Sequence, residues 1–281
     1  MKIQIMTDST CDLDRAYIEA HNVTVIPLTV NLDGRAYSDN GSDITPDYIF
    51  DAVAHGSDLP KTSAINVEDY RRAFTRALKT CDAIVHFAIS AEFSSCHANA
   101  VLASEGLPVY CVDSRNLSSG IGMLVCEAVD MVESGCEDPA AVAAHCKSVI
   151  DRVDCSFIIN RLDYLHKGGR CSMVAMLGAN MLHLKPCIEV VDGRMIVGRK
   201  FRGSYDRCVK QYVEDRLHDP DALDARRVFI VHTGLNADQV AIIRKIVDSH
   251  KRFEDVYELR AGSTISCHCG ENTMGLIYMK K

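Results

Sequence analysis

Apolar and polar positions alternate in the first half of the chain with the rhythm of strand, turn and helix. Ile3-Gln4-Ile5-Met6 predicts a short strand ending at Thr7-Asp8-Ser9-Thr10, after which Asp12 or Asp14 opens a helix to His21. Residues 23–26 predict the next strand, and residues 28–32 and 35–37 flank Asp33-Gly34, a dipeptide suited to a tight hairpin turn. Thr45-Pro46 starts a helix to about His55, with proline at its tolerated first position. Asn66 caps a helix to about Lys79, with Asp69 in capping-box spacing. Residues 83–89 form a nearly unbroken apolar run, expected of a parallel strand covered on both faces. A helix over 94–104, a strand over 109–112 and helices over 118–134 and 139–152 complete a doubly wound half.

Beyond about residue 155 the rhythm changes. Residues 155–159 predict a strand that leads into 162–167, stopped by Gly168-Gly169, and a helix over 172–183 ends before Pro186. Residues 187–191 and 195–199 flank Asp192-Gly193, a second hairpin signal. Helices near 204–218 and 236–250 alternate with strands over 228–232, 253–259 and 274–279. The expectation is a two-domain α/β protein. Residues 1–155 form a Rossmann-like unit with a mostly parallel sheet, and residues 156–281 an α/β unit with a mixed sheet.

Composition narrows the field of functions. A formal net charge of −7 and a pI of about 5.9 leave no global basic field to attract nucleic acid. No apolar run approaches the roughly 18 residues of a membrane span, and the N-terminus reads as a strand rather than a signal peptide, so a cytoplasmic protein is expected. Of the thirteen cysteines, an odd total, Cys81, Cys111, Cys126, Cys146, Cys155, Cys187 and Cys208 sit singly within strand- or helix-like runs. They read as small reduced hydrophobes rather than a disulfide framework.

Candidate chemistry gathers where strands end. Pro60-Lys61-Thr62-Ser63 reads as a loop with two adjacent hydroxyls before the Asn66-capped helix, and Ser90-Ala91-Glu92-Phe93-Ser94-Ser95 follows the apolar strand in the same way. With Ser9, Thr10 and Ser114, these hydroxyls stand where open α/β sheets bind ligands. Taken singly, each is explained as a helix cap; together they suggest a pocket for a small acidic head group. Ile265-Ser266-Cys267-His268-Cys269-Gly270 carries ligand types for zinc, but no second Cys/His pair stands at zinc spacing. Gly262 and Gly270 instead predict a tight loop, with His268 either hydrogen-bonding a ligand or serving the core. Arg170, Arg199, Lys200 and Arg202 form a local basic group that reads by itself as a solvated face. Gly-X-Ser-X-Gly, Walker and His-Glu-X-X-His motifs are lacking, so the chain presents a binding site without a recognisable catalytic engine.

These residues, in this order, resemble the DegV family over essentially the whole chain. The matching pieces are Thr7-Asp8-Ser9-Thr10 with Asp12, Pro60-Lys61-Thr62-Ser63, Ile89-Ser90 and Val112-Asp113-Ser114. The second half adds Tyr164-Leu165-His166-Lys167-Gly168-Gly169-Arg170, Lys185-Pro186, Asp192-Gly193 and the His268 segment running on to Gly275-Leu276-Ile277-Tyr278. The resemblance implies a monomeric, non-catalytic carrier that needs no cofactor or metal. It would bind one long-chain fatty acid in a tunnel, with the carboxylate at the domain junction, and present it to a separate fatty acid kinase subunit. By the same resemblance, Thr62, Ser63, Ser94 and His268 contact the carboxylate, while Arg170 and Arg202 serve kinase docking or lie near the phosphate. Ser94-Ser95-Cys96 stands where the family has Ser-Gly-Thr, and Glu271-Asn272 replaces a Pro-Gly pair. The alternative reading is a stand-alone phosphoryl-transfer or hydrolytic enzyme built on the strand-end Asp and Ser residues.

Overall fold

The computed structural model describes residues 1–171, 184–250 and 253–281, so the helix expected over 172–183 lies outside the described residues. Strand β1 (Ile3–Asp8) is buried along its whole length. It pairs in parallel with β2 (Thr24–Ile26) and β6 (Ala83–Ala88), and β6 pairs in parallel with β7 (Val109–Asp113). Helices α1 (Arg15–Ala20), α2 (Pro46–Ala54) and α3 (Val67–Ala77) start at Asp14, Thr45 and Asn66. Each of those side chains accepts a backbone N–H of the first turn, so the polar residues read as caps act as caps. Helices α4 (Cys96–Ser104), α5 (Ser119–Glu133) and α6 (Pro139–Ser148) complete this half.

The hairpin of β3 (Thr29–Leu32) and β4 (Arg35–Ser38) turns on Asp33 and Gly34, at φ of 50° and 77°. It forms a separate antiparallel sheet with β5 (Lys61–Ser63), which pairs with β3. The segment expected as a loop ahead of a helix start is therefore an edge strand, paired with β3 along one side.

From residue 153 a six-stranded sheet takes over, in the order β10-β9-β8-β13-β11-β12. Its strands are β8 (Val153–Ile158), β9 (Leu184–Val191), β10 (Arg194–Arg202), β11 (Leu223–His232), β12 (Asp255–Arg260) and β13 (Met274–Lys280). Only β11 and β12 run parallel, so the sheet is mixed. Helices α7 (Asp163–Gly168), α8 (Tyr205–Arg216), α9 (Ala237–His250) and α10 (Ser263–Cys269) accompany it. The last of these corrects the expected His268 loop: Gly262 is the N-cap and Gly270, at φ 72°, follows the last turn.

The two sheets share α5. Residues 119–129 of this mostly apolar helix are all buried, Glu127 paired with Arg226 and Arg227, and it touches β1 and β6 on one flank and β8 and β13 on the other. One continuous core accordingly runs from Ile5 and Phe87 through Leu124 to Phe157 and Ile277. The β9–β10 hairpin seals the junction from outside. Ser90 Oγ donates to Gly193 O at 2.8 Å, Arg115 donates to Asp192 O, and Arg194 pairs with Glu92.

Candidate functional site

Alternation along β5 decides which of its hydroxyls can meet a ligand. Thr62, paired with Val30, faces the interior, while Ser63 faces outward and its Oγ accepts from the Asn31 side chain at 3.1 Å. A cavity of about 200 Å³ opens beneath Thr62. Its polar wall is Thr62, Ser94, Ser95, Arg170, Thr264 and His268, and its apolar wall includes Leu28, Ile89, Phe93, Leu117, Met195 and Ile265. Leu117, Ile265 and Cys269 also line a narrower pocket against β8 and β13.

Four of the six residues expected at the site thus border one space: Thr62, Ser94, His268 and Arg170. Ser63 and Arg202 do not. Ser63 is on the wrong face of a strand, and Arg202 is an exposed residue at the end of β10, outside the cavity wall. The placement of Ser63 departs from the expectation, because adjacent residues of a strand point to opposite sides, whereas an exposed Arg202 is compatible with the docking role expected of it.

His268 Nε2 lies 2.8 Å from Thr62 Oγ1. Among the described residues its Nδ1 is buried without a hydrogen-bond partner, and it faces Gly168, where an added Cβ would come within 2.5 Å of it. Of the two neutral tautomers, the one carrying hydrogen on Nε2 avoids an orphaned N–H against Gly168. In that tautomer Nε2–H donates to Thr62 Oγ1 and leaves the Thr62 hydroxyl hydrogen free for a ligand acceptor. Burial, aided by the Arg170 guanidinium, lowers the His268 pKa to about 4, so the ring is neutral near pH 7. Gly168-Gly169, read from sequence as a helix stop, has two functions: Gly169 at φ 70° ends α7, and Gly168 makes room for His268.

The remaining wall is held by local geometry. Ser94 Oγ accepts the Cys96 N–H at 3.2 Å and donates to Cys96 Sγ, which bends the chain into α4. Arg170 sits exposed at the rim, donating to Gly168 O at 2.7 Å and to Phe93 O at 3.5 Å. The site therefore offers hydroxyls and a neutral imidazole inside, and one guanidinium at the edge.

The strand-end carboxylates are committed to the protein's own backbone. Asp8 accepts from the N–H groups of Thr10 and Ile89, and Asp113 from those of Ala91 and Arg115. Asp12 accepts from Ser118 Oγ and the Gly262 N–H, although burial pushes its pKa up to about 8. Cys267 packs with Val30 and Ile49, whereas Cys269 belongs to the main core. Among the described residues, no three His, Cys, Asp or Glu side chains are grouped as metal ligands. No described helix is long and apolar enough to cross a membrane.

Sequence reasoning passed over Thr264 and Asp39. Thr264 stands four residues before His268, a spacing that puts both on one helix face, but a segment read as a loop gave that spacing no meaning. No local signal marks Asp39, which acts on residues more than two hundred positions away.

The family model described as "Uncharacterised protein, DegV family" matches residues 2–281. A Thermotoga maritima protein named "Fatty acid-binding protein" is 28% identical over 284 residues, covering 98% of this chain and 96% of that one. The solved structure "Fatty Acid Binding of a DegV family Protein from Thermus thermophilus" matches with a TM-score of 0.91 at 29% identity, over 100% of both chains. A stearic-acid-binding protein from Eubacterium ventriosum matches with a TM-score of 0.87 at 26% identity, over 99% of this chain and 98% of the other. With the family model matched from its second residue to its last, and the same fold in these relatives, the chain belongs to the DegV family.

Proposed function

We propose that the protein binds one long-chain fatty acid, with its carboxylate among Thr62, Ser94 and His268, and presents it to a separate kinase subunit. The carrying observation is the Thr62–His268 pair, set into a cavity whose other wall is apolar. The relatives described as fatty-acid-binding supply the ligand class. The acyl chain follows Phe93, Leu117, Met195 and Ile265 inward. Burying about 14 methylenes at about 0.8 kcal/mol each contributes at most about 11 kcal/mol. That offsets the removal of a carboxylate from water when hydroxyl groups satisfy it. A head group held by hydroxyls and a neutral ring, with no buried cation clamp among the described residues, keeps its oxygen nucleophilic toward a phosphoryl group. Arg170 at the rim then faces the incoming kinase or the phosphate.

The direct test is to denature purified protein, extract it and weigh the extract by mass spectrometry. About one long-chain acyl group per protein is expected. A chain that yields none and takes up no added hexadecanoic acid overturns the reading. For the second half of the proposal, acyl phosphate trapped as hydroxamate should form from ATP only when a kinase subunit is added. Formation by the chain alone would favour the stand-alone enzyme.

A further inference from the structure

Helix α10 has no side-chain cap of its own, and its first turn is held from the other half of the molecule. Asp39, just past β4, accepts the N–H groups of Ser263 at 3.1 Å and Thr264 at 3.2 Å. Its carboxylate is fixed in turn by Ser9 Oγ at 2.9 Å, and its own N–H donates to Leu28 O at 2.9 Å. Asp12 takes the preceding N–H, that of Gly262, at 2.8 Å. The N–H groups of Gly262, Ser263 and Thr264 at the start of α10 are thus taken by two side chains of the protein itself.

The side chain of Thr264 is left over. The residue is 3% exposed and lines the same cavity as Thr62 and His268, yet among the described residues its Oγ1 has no hydrogen-bond partner. A helical threonine ordinarily satisfies its hydroxyl on a carbonyl one turn back. Here the turn before it is the extended Gly262 segment, bound to Asp12. A buried hydroxyl without a partner is a standing cost in the empty protein, removed when an acceptor arrives.

We propose that Thr264 donates a further hydrogen bond to the ligand carboxylate and that Asp39 is the positioning residue that aims it. The inference rests on the fatty-acid reading above and extends it to residues that reading did not use. Thr62 approaches the head group from the three-stranded sheet and Thr264 from α10, with His268 one turn further along the same helix. Asp39 links the two walls, because the β3–β4 hairpin it follows pairs with the strand that carries Thr62.

The test compares hexadecanoic acid with hexadecan-1-ol on wild type, Thr264→Val, Thr264→Ser, Asp39→Asn and the Asp39→Asn/Thr264→Val double variant. Thr264→Val should bind the acid about tenfold to a hundredfold more weakly, the range for a hydrogen bond to a charged group. It should weaken alcohol binding less, by no more than about tenfold and by less than the acid in the same variant, and Thr264→Ser should restore acid binding. Asp39→Asn should weaken acid binding, and the double variant should be no weaker than Thr264→Val, because Asp39 acts through Thr264. Ligand-free Thr264→Val should melt no lower than wild type, since it deletes an unsatisfied hydroxyl. Equal acid affinity in Thr264→Val and wild type overturns the inference and leaves the fatty-acid reading standing. Equal losses for acid and alcohol also overturn it, by assigning Thr264 to packing. A wild type that binds neither ligand overturns both.

Discussion

Replacing Gly168 with alanine tests the geometry of the His268 site without touching any polar group. A methyl group there would lie 2.5 Å from His268 Nδ1, whereas ordinary contact begins at 3.4 Å, so the ring must retreat by 3.4 − 2.5 = 0.9 Å. The 2.8 Å bond between Nε2 and Thr62 Oγ1 cannot absorb such a movement and is sheared. A broken bond that leaves a buried N–H unpaired costs about 1–3 kcal/mol. Against this, alanine in place of glycine at the end of α7 contributes about 0.5–1 kcal/mol through backbone entropy. Gly168 is not among the residues at positive φ, so no backbone strain is added. The net expectation is a loss of about 1–2 kcal/mol, read as a fall of a few degrees in melting temperature at about 2–4 °C per kcal/mol. Hexadecanoic acid affinity should fall at least about tenfold, because Thr62 loses the donor that orients its hydroxyl. Adding His268→Ala to Gly168→Ala should abolish the steric part of the penalty, a non-additivity visible in a double-mutant cycle. A Gly168→Ala variant with a raised melting temperature and unchanged affinity would refute the argument, because His268 could not then rest against Gly168.

His268 should also impose a pH dependence. Its folded pKa, about 4, lies below the ordinary 6.5, so the unfolded chain binds the proton first, and stability is lost as pH falls from about 6.5 to 4. The contribution is at most about 3 kcal/mol, and His268→Gln should flatten it relative to wild type in urea titrations at pH 7 and pH 4.5. Arg216→Ala should cost about 3–5 kcal/mol by urea titration. It leaves Glu189 without its guanidinium and Asp154 with Lys280 alone, around a site that is only 16% exposed, and wild-type stability would refute the buried network. Gly193→Ala should cost about 1–2 kcal/mol, since Gly193 sits at φ 77° and its Cβ would meet Ser90 Oγ at 2.7 Å. Faster amide exchange across the β9–β10 hairpin should accompany that loss, and unchanged protection there would show that the Ser90 contact does not hold it.

What could be read in advance follows the range of the interactions. The caps at Asp14, Thr45 and Asn66 act within three residues of themselves and are visible in local spacing. The turns at Asp33-Gly34 and Asp192-Gly193 require backbone at positive φ, which their residue types announce. Strand β5 was not legible, because three residues have too little periodicity to declare a strand and only pairing with β3 makes them one. Helix α10 was misread for a related reason. Its two glycines resemble loop punctuation, and the carboxylates that stabilise its first turn come from Asp12 and Asp39.

The sequence alone therefore determined the order of strands and helices, the mixed α/β class, the family, and the candidacy of Thr62, Ser94, Arg170 and His268. All of these rest on residue type and short-range pattern. Only the tertiary structure decided that Thr62 faces the cavity and Ser63 does not, since a strand acquires an inside and an outside from its neighbours. It also decided the state of His268, whose partner Thr62 lies 206 residues away and whose neutrality comes from burial. Thr264 and Asp39 entered the site by the same route. Their roles arise from contacts across the molecule, where burial removes water as the alternative partner and makes each remaining hydrogen bond decisive.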